Sequence, residues 1–257
     1  MFSIKDFSKI ITEFQQKHIL VIGDIMLDKY IDGIVERVSP EAPIPILSKS
    51  STSSMPGGAA NVAANLSSLG IKVSLIGIVG IDSSGKELRK LLNFIPQVNF
   101  FPIILNDRKT TTKTRFASKG KQLLRLDEED LNYINDNIVD SVLKTIKTII
   151  NSSDAIIISD YEKGFLTKSL ISKTIRTAQK SKTPIIIDPK KIDFSSYSGA
   201  DVITPNLKEL EKTTKKQLVN KEKVKKASKV LINKYNIKNI LVTLGDDGII
   251  FVNSDQS

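Results

Sequence analysis

The chain has 257 residues, of which 40% are hydrophobic and 26% charged, an ordinary globular composition that is long enough for one large α/β domain. It contains no cysteine and a single histidine, His18, which excludes disulfides and zinc clusters built on either residue, so we expect His18 to be structural. The net charge of +10 admits nucleic acid or phosphorylated small molecules as partners, or is only a lysine-rich background. Because no interleaved aromatic and basic pattern accompanies that charge, nucleic acid is the weakest alternative.

The sequence gives no sign of a membrane segment. No apolar run approaches the roughly 20 residues that span a bilayer. The first residues mix charges and lack the apolar core of a signal peptide. We therefore expect a cytoplasmic protein without a membrane partner.

The first half of the chain begins with a buried strand. The apolar run 19–22 ends before Asp24 and predicts a strand whose carboxyl end delivers that carboxylate. Residues 31–49 alternate among several prolines, which is typical of edge or lid strands. Residues 48–54 are predicted to be a flexible loop, and residues 72–80 a second buried strand.

A glycine pair opens a helix of small residues, predicted over 58–69. Gly57 and Gly58 carry no Cβ, so a ligand can approach the backbone closely there. Free N–H groups in a first helical turn favour oxygen-rich or anionic groups, and Asn61 adds a donor and an acceptor one turn in. The pattern suits a polyhydroxylated small molecule. A tight strand-to-helix turn packed from small residues is the equally weighted alternative.

Residues 80–86 fit the first part of a phosphate-binding P-loop. However, Glu87 stands where that motif needs Ser or Thr to hold Mg²⁺, and its carboxylate would face the phosphates. We therefore reject the P-loop interpretation.

The rest of the chain shows two patterns. Short strands predicted at 98–105, 110–118 and 122–126 combine with the earlier lid strands into a small separate sheet. A helix at 135–149 follows, and strands then alternate with helices, which predicts an α/β fold with a mostly parallel sheet and helices on both faces. The later strands are predicted at 155–160, 184–188, 201–204 and 239–243, and the later helices at 167–181, 206–211 and 221–235.

Four of the predicted strands end in a polar residue: Asp24, Asp160, Asp188 and Thr243. Because the carboxyl ends of parallel strands share one edge, these groups are expected to line one cleft. The alternative is that some of them are helix N-caps.

Together these features resemble the ribokinase/PfkB family of sugar kinases. Residues 57–63, followed by Gly70 and Gly80, fit the first signature of that family. Within the family, the chain is similar to the kinase half of the bifunctional heptose 7-phosphate kinase/heptose 1-phosphate adenylyltransferase. The matching segments are 23–30, 39–45, 56–70, 122–127, 159–164, 187–190 and 204–209.

The resemblance implies a ribokinase-like sheet with a small β lid, and ATP and Mg²⁺ as cofactors. The reaction it implies transfers a phosphoryl group to the anomeric hydroxyl of D-glycero-D-manno-heptose 7-phosphate. The product would be the 1,7-bisphosphate, used in ADP-heptose synthesis for the lipopolysaccharide core. Such catalysis is mostly positioning and charge stabilisation. The resemblance also implies a homodimer through the lid.

The implied site residues fall into two groups. On the substrate side they are Asp28, Gly57, Gly58, Asn61 and Asp160. From charge and placement we add Arg115, Lys121 and Arg125 as candidates for the phosphate of the substrate. On the nucleotide side they are Asp188, Lys190, Asn206, Glu209, Thr243, Gly245 and Gly248, with Glu209 organising the metal.

The family's second signature, a Gly-Ala-Gly-Asp turn that supplies the general base, does not occur in these 257 residues. We therefore expect the base to lie beyond Ser257, and we expect a single kinase domain over 1–257 that is incomplete at its C-terminus, with lid segments near 31–50 and 98–127. We expect residues 1–257 to contain neither the catalytic base nor an adenylyltransferase domain. We therefore expect little turnover from these residues alone, and exposed apolar surface on one face of the sheet. The alternatives are a PfkB kinase for another sugar or nucleoside, and a non-catalytic binding or dimerisation module.

Overall fold

The computed structural model of the protein describes residues 4–254. In chain order its helices and strands are α1 (Ile4–Phe14), β1 (His18–Gly23), β2 (Ile25–Val38), β3 (Pro45–Gly58), α2 (Ala59–Ser68), β4 (Lys72–Gly80), α3 (Ser83–Asn93), β5 (Val98–Leu105), β6 (Thr112–Ser118), β7 (Lys121–Glu128), α4 (Asp136–Ile149), β8 (Ala155–Ser159), α5 (Lys168–Ser181), β9 (Ile185–Asp188), β10 (Val202–Ile203), α6 (Leu207–Thr214), α7 (Lys221–Tyr235), β11 (Asn239–Thr243) and β12 (Ile249–Asn253).

Ser257, the residue beyond which the catalytic base is expected, lies outside the described residues. The expectation that the base follows Ser257 therefore stays a prediction. The same holds for the expectation that the kinase domain is incomplete at its C-terminus.

The larger sheet has eight strands in the order β12-β11-β10-β9-β8-β1-β4-β5. All neighbouring pairs are parallel except β11 and β12, which form an antiparallel hairpin. The carboxyl ends of β1, β8, β9, β10 and β11 therefore lie along one edge, as the strand–helix alternation predicts.

Helices cover both faces of this sheet because its strands are apolar on both sides. In β1, Leu20 and Ile22 pack into a core with α4, α5 and α7. Val21 points the other way and packs with α2 and α3 in a second core. Within residues 4–254, no helix has the length and apolar character needed to cross a membrane.

The second core does not extend to the far edge of the sheet. In β12, Ile250 and Val252 are buried, whereas Ile249 and Phe251 are 63% and 54% exposed. The exposed apolar surface expected on the sheet is thus present on this face of β12.

The smaller sheet has four strands in the order β3-β2-β6-β7 and is called the lid below. β2 and β3 form a long antiparallel hairpin in which Asp28 lies opposite Met55. β6 runs parallel to β2, and β7 is antiparallel to β6.

Two predictions about the lid were wrong. Residues 48–54 are not a loop but part of β3, paired with β2. Most of these residues are exposed and polar, so no hydrophobic alternation marks the strand in the sequence. Residues 98–105 are not in the lid, because β5 pairs with β4 along its whole length at the edge of the larger sheet. This segment was assigned to the lid as one of three consecutive short strands, but an edge strand of either sheet can have its composition, including Pro102.

His18 has the structural role expected of it. Its Nε2 lies 2.9 Å from the hydroxyl of Ser74, and its Nδ1 lies 2.9 Å from the carbonyl oxygen of Ser152. The imidazole therefore joins β1 to β4 and to the turn before β8.

Candidate active site

The lid adjoins the carboxyl ends of the strands, and Tyr161 lies within electrostatic range of residues from both. Burial raises the pKa of the Tyr161 phenol, and the negative charges of Asp188 and Asp28 add to the rise. Asp28 is on lid strand β2, whereas Asp188 ends β9 in the larger sheet. Both carboxylates are thus within electrostatic range of one half-buried phenol. Tyr161 was missed as a site residue, although it lies in the matched segment 159–164.

The glycine pair is required by close packing against the lid. A Cβ at Gly57 would collide with the Asp28 carboxylate, and a Cβ at Gly58 would collide with the carbonyl oxygen of Asp24. Gly58 also has φ +58°, which favours glycine. It precedes α2 as the N-cap and makes no side-chain cap hydrogen bond. Asn61 is exposed in the first turn of the helix.

An ion pair stands next to this turn. The Arg115 guanidinium donates a hydrogen bond of 2.6 Å to the Asp28 carboxylate, and both side chains are largely buried. This bond raises the pKa of Arg115. The guanidinium also lies over the Tyr30 ring, 5.2 Å from its centroid. The predicted sugar ligand Asp28 is therefore held by a predicted phosphate ligand.

The structure separates the three predicted phosphate ligands. Arg115 and Arg125 are directly opposite each other across β6 and β7 and share one face of the lid. Lys121 is opposite Ser118, a position that alternation places on the other face. Lys113 shares the face of Arg115 and was missed by the sequence reasoning.

Asp127 balances the charge on that face. Its carboxylate accepts hydrogen bonds from Arg125 at 2.8 Å and from Lys113 at 3.0 Å. Although desolvation acts in the opposite direction, these two cations lower the pKa of Asp127. The carboxylates of Asp28 and Asp127 therefore partly neutralise the three cations of this face, Lys113, Arg115 and Arg125.

Asp160 is not available to a substrate, which corrects its predicted role. Its side chain is completely buried, with its carboxylate 2.6 Å from the Lys191 ammonium and 2.8 Å from the Tyr197 hydroxyl. The same carboxylate accepts the N–H of Glu162 at 2.8 Å. Asp160 thus holds the loops after β8 and β9 in place.

Asp24 is also internal. Its carboxylate accepts the backbone N–H groups of Tyr161 at 2.9 Å, Lys163 at 3.2 Å and Phe165 at 3.4 Å. Burial raises its pKa, which these N–H groups oppose. Asp24 and Asp160 were expected either to line a cleft or to be helix N-caps. Both are internal and neither is an N-cap, so both interpretations are wrong for these two residues.

The predicted nucleotide residues come together beyond β9. Asn206 and Glu209 form a reciprocal capping box at the start of α6, with both hydrogen bonds at 3.0 Å. The Lys190 ammonium lies 3.2 Å from Glu209. Burial raises the pKa of Asp188, and the negative charge of Glu209 raises it further. Two carboxylates and one cation therefore share this corner.

The glycine turn predicted beneath the nucleotide lies beside this corner. Thr243 ends β11 and bridges in parallel fashion to Asn206. Gly245 and Gly248 follow with φ +63° and +88°. A Cβ at either glycine would meet no atom within 4 Å, so the turn borders open space.

The donor set at this corner fits a divalent cation shared with phosphates. Among residues 4–254, no group of three or more His, Asp or Glu side chains could hold a metal ion alone. Mg²⁺ usually takes one or two carboxylates and completes its shell with water and substrate phosphates. Asp188 and Glu209 supply two carboxylates close enough to influence each other.

The rejected P-loop segment is closed by its own side chain. Asp82 is the N-cap of α3 and accepts the N–H of Gly85 at 2.7 Å. It also accepts the N–H of Thr110 at 2.8 Å. The Gly85 amide of this segment is therefore not free to cradle a phosphate.

This architecture is similar to that of several solved structures. The chain superposes with a TM-score of 0.75 on phosphofructokinase-2 from Escherichia coli in its tetrameric inhibited form, at 21% identity, covering 93% of this chain and 77% of that one. It superposes with a TM-score of 0.71 on Arabidopsis thaliana ribokinase complexed with ribose and ATP, at 18% identity, covering 94% and 76%. The fold is therefore the ribokinase-like α/β fold.

A family model described as pfkB family carbohydrate kinase matches residues 16–257, so the chain belongs to the pfkB family of carbohydrate kinases. It is similar to the Bifunctional protein HldE of Sulfurimonas denitrificans, 40% identical over 242 residues that make up 94% of this chain and 50% of that protein. The HldE protein of Coxiella burnetii is 39% identical over 246 residues, 95% of this chain and 50% of that one. The chain thus spans about half the length of the curated relatives it matches.

Proposed function

We propose that this chain is the kinase portion of a heptose phosphate kinase. In this proposal, ATP donates a phosphoryl group to the anomeric hydroxyl of D-glycero-D-manno-heptose 7-phosphate. The similarity to the HldE proteins over nearly all of this chain supports the assignment. The single observation that carries it is the Asp28–Arg115 ion pair beside the glycine pair. A carboxylate for sugar hydroxyls and a guanidinium for a phosphate are what a phosphorylated sugar requires.

On the acceptor side, Asp28 accepts hydrogen bonds from sugar hydroxyls, and the backbone at Gly57 and Gly58 admits the sugar without steric conflict. Arg115 exchanges its contact with Asp28 for the phosphate of the substrate. A guanidinium suits that role because its planar fork binds phosphate in a bidentate manner. Lys113 and Arg125 on the same face add positive charge.

On the donor side, Lys190 contacts phosphate, and the turn at Gly245 and Gly248 lies under the nucleotide. Asp188 and Glu209 would hold Mg²⁺ together with the phosphates, and the ion would supply neutralisation of the negative charge on the transferring group. The capping box fixes the Glu209 side chain against α6 before any ligand arrives. The lid contributes by excluding water from the cleft.

Binding measurements on the wild type and two matched variants test the acceptor side. Arg115→Gln is expected to weaken binding of the heptose 7-phosphate about tenfold or more, because one charge-assisted contact is lost. Binding of the unphosphorylated heptose should change little. Lys121→Gln removes the same charge from the opposite face of the lid and should leave both affinities unchanged.

Equal losses from Arg115→Gln and Lys121→Gln would show only a general charge effect and would refute the assignment. A panel that includes fructose 6-phosphate, ribose and a nucleoside decides between this acceptor and another pfkB substrate. Preference for any of these over the heptose phosphate replaces the proposed substrate.

We also propose that two copies associate through the lid. Leu124 and Leu126 project from its edge strand β7 and are 61% and 49% exposed. Both are on the face opposite Arg115 and Arg125, so burying them leaves the charged face open to the cleft. Sedimentation of the wild type as a dimer, and of Leu124→Glu as a monomer, is the expected result. Such a dimer is also what the binding-module alternative requires.

A further inference from the structure

The lid joins the rest of the protein through four connections. Three of them contact one short segment, residues 161–165, and the fourth is tied to that segment through Asp24. The connections are residues 23–25, 58–59, 106–111 and 129–135. Segment 161–165 follows β8 and contains Tyr161, whose phenol lies within electrostatic range of Asp28 on the lid and Asp188 at the end of β9. The polar contacts of segment 161–165 therefore help to fix the position of the lid relative to the candidate site.

Asp24 ties the first two connections to this segment. Its carboxylate accepts the N–H groups of Tyr161, Lys163 and Phe165. Its carbonyl oxygen accepts the N–H of Ala59 at 3.0 Å. One buried residue thus holds the start of β2, the start of α2 and segment 161–165 together.

Arg108 ties the other two connections to the same segment. It lies in connection 106–111, and its Nη1 donates to the carbonyl oxygen of Asn132 at 2.7 Å. Its Nη2 donates to the carbonyl oxygens of Asp130, at 2.6 Å, and of Lys163. The guanidinium thus bridges the entry to β6, the exit from β7 and segment 161–165.

The surroundings of Arg108 reinforce this arrangement. Ile134 donates its N–H to the carbonyl oxygen of Gly164 at 3.1 Å. The Lys163 ammonium forms an ion pair of 2.7 Å with Glu129. Gly164 has φ +83°, and a Cβ there would collide with the carbonyl oxygen of Asn132. Connection 129–135 and segment 161–165 are therefore in direct contact along several residues.

We propose that Arg108 is a positioning residue that fixes the lid over the sugar site. Three carbonyl groups from two segments need several donors in one plane, which a guanidinium has and an ammonium lacks. Arg108 itself stays outside the sugar site and acts through the position of the Asp28–Arg115 face. The effect on substrate rests on the proposed function, whereas the clamp itself does not.

Hydrogen–deuterium exchange on the whole chain tests the clamp without any ligand. In Arg108→Ala, the amides of Lys163 and Ile134 should exchange about tenfold faster or more, because charge-assisted bonds are lost on both sides. The amides of β4 should keep their protection. Arg176→Ala is the matched control, since Arg176 is exposed on α5 and its side chain makes no hydrogen bond or ion pair with the residues that the structure describes.

Chemical rescue distinguishes a guanidinium clamp from general loosening. Ethylguanidinium at low millimolar concentration should restore protection in Arg108→Ala, whereas ethylammonium, of equal charge, should not. Unchanged exchange at either amide, or equal rescue by the two cations, overturns the clamp.

The same variant then tests positioning. Binding of heptose 7-phosphate should weaken in Arg108→Ala and recover with ethylguanidinium but not with ethylammonium. Faster exchange with unchanged affinity overturns the positioning role. If the wild type binds no sugar phosphate at all, the proposed function fails, and the exchange data still decide the clamp.

Discussion

Two adjacent lysines should respond in opposite ways to the same substitution. The Lys191 side chain is 12% exposed and pairs with Asp160, whose side chain is completely buried, at 2.6 Å. The Lys190 side chain is 50% exposed and pairs with Glu209 at 3.2 Å. Lys→Met removes one positive charge and keeps an unbranched apolar chain at either position. The two variants therefore differ in the exposure of the lysine, 12% against 50%, and to a smaller extent in that of the carboxylate left behind, 0% against 16%.

In Lys191→Met the Asp160 carboxylate stays buried without its cation. Breaking one side of a buried pair costs about 3–5 kcal/mol, because the remaining charge is not compensated. In Lys190→Met the lost cation is half-exposed, although Glu209 is only 16% exposed, and solvent screening of the lysine limits the worth of the pair to about 0–1 kcal/mol. Urea unfolding followed by circular dichroism should show a large fall in the free energy of unfolding for Lys191→Met only. Nucleotide affinity should instead fall in Lys190→Met.

A second substitution checks the cause. Adding Asp160→Asn to Lys191→Met removes the stranded charge while an amide oxygen still accepts from Tyr197. The double variant should therefore regain part of the lost stability. If Lys191→Met costs less than about 1 kcal/mol, or no more than Lys190→Met, the reasoning from buried charge is refuted.

Three further outcomes follow from single positions. Gly58→Ala should lower the free energy of unfolding by at least about 1 kcal/mol in thermal melts, since φ +58° is strained for alanine; an unchanged melting temperature would contradict the observed backbone. Asp188 has a folded-state pKa raised above its ordinary value of 3.8, so the native state binds its proton more tightly than the unfolded state does. Its contribution to stability is present below about pH 4 and is lost as the pH rises through the raised pKa; Asp188→Asn should remove this component from stability measured against pH. Mg²⁺ affinity should fall as Asp188 becomes protonated, and titrations at two pH values that give equal affinity would argue against Asp188 as a ligand.

Local sequence patterns predicted most of the larger sheet. The runs at 19–22 and 72–80 are apolar on consecutive residues, which is typical of parallel strands covered on both faces, and they form β1 and β4. The helix predicted over 221–235 has the bounds of α7. Burial on both faces makes the strands among these segments apolar at consecutive positions. They can therefore be recognised in the sequence without knowing which strands they pair with.

Tertiary pairing decided the lid. Residues 48–54 carry polar side chains on both faces, so only pairing with β2 makes them a strand. Residues 98–105 have an edge-strand pattern that fits either sheet, and their pairing with β4 settled which sheet they join. An edge strand is assigned to a sheet by backbone hydrogen bonds, which all residues except proline make alike.

The same distinction holds within the candidate site. The glycine pair at a helix entrance could be recognised in the sequence, and the family resemblance assigned residues to the two sides of the site. The Asn206–Glu209 capping box was not predicted, although it depends only on near neighbours in the chain. Three findings required the tertiary structure. Asp160 forms a buried ion pair with Lys191, Lys121 is on the opposite lid face from Arg115, and Arg108 donates to three carbonyl groups. In the sequence, a carboxylate or a guanidinium looks the same whether it binds substrate, forms a buried ion pair or fixes a connection. Their surroundings, built from residues distant in sequence, decide which of these they become.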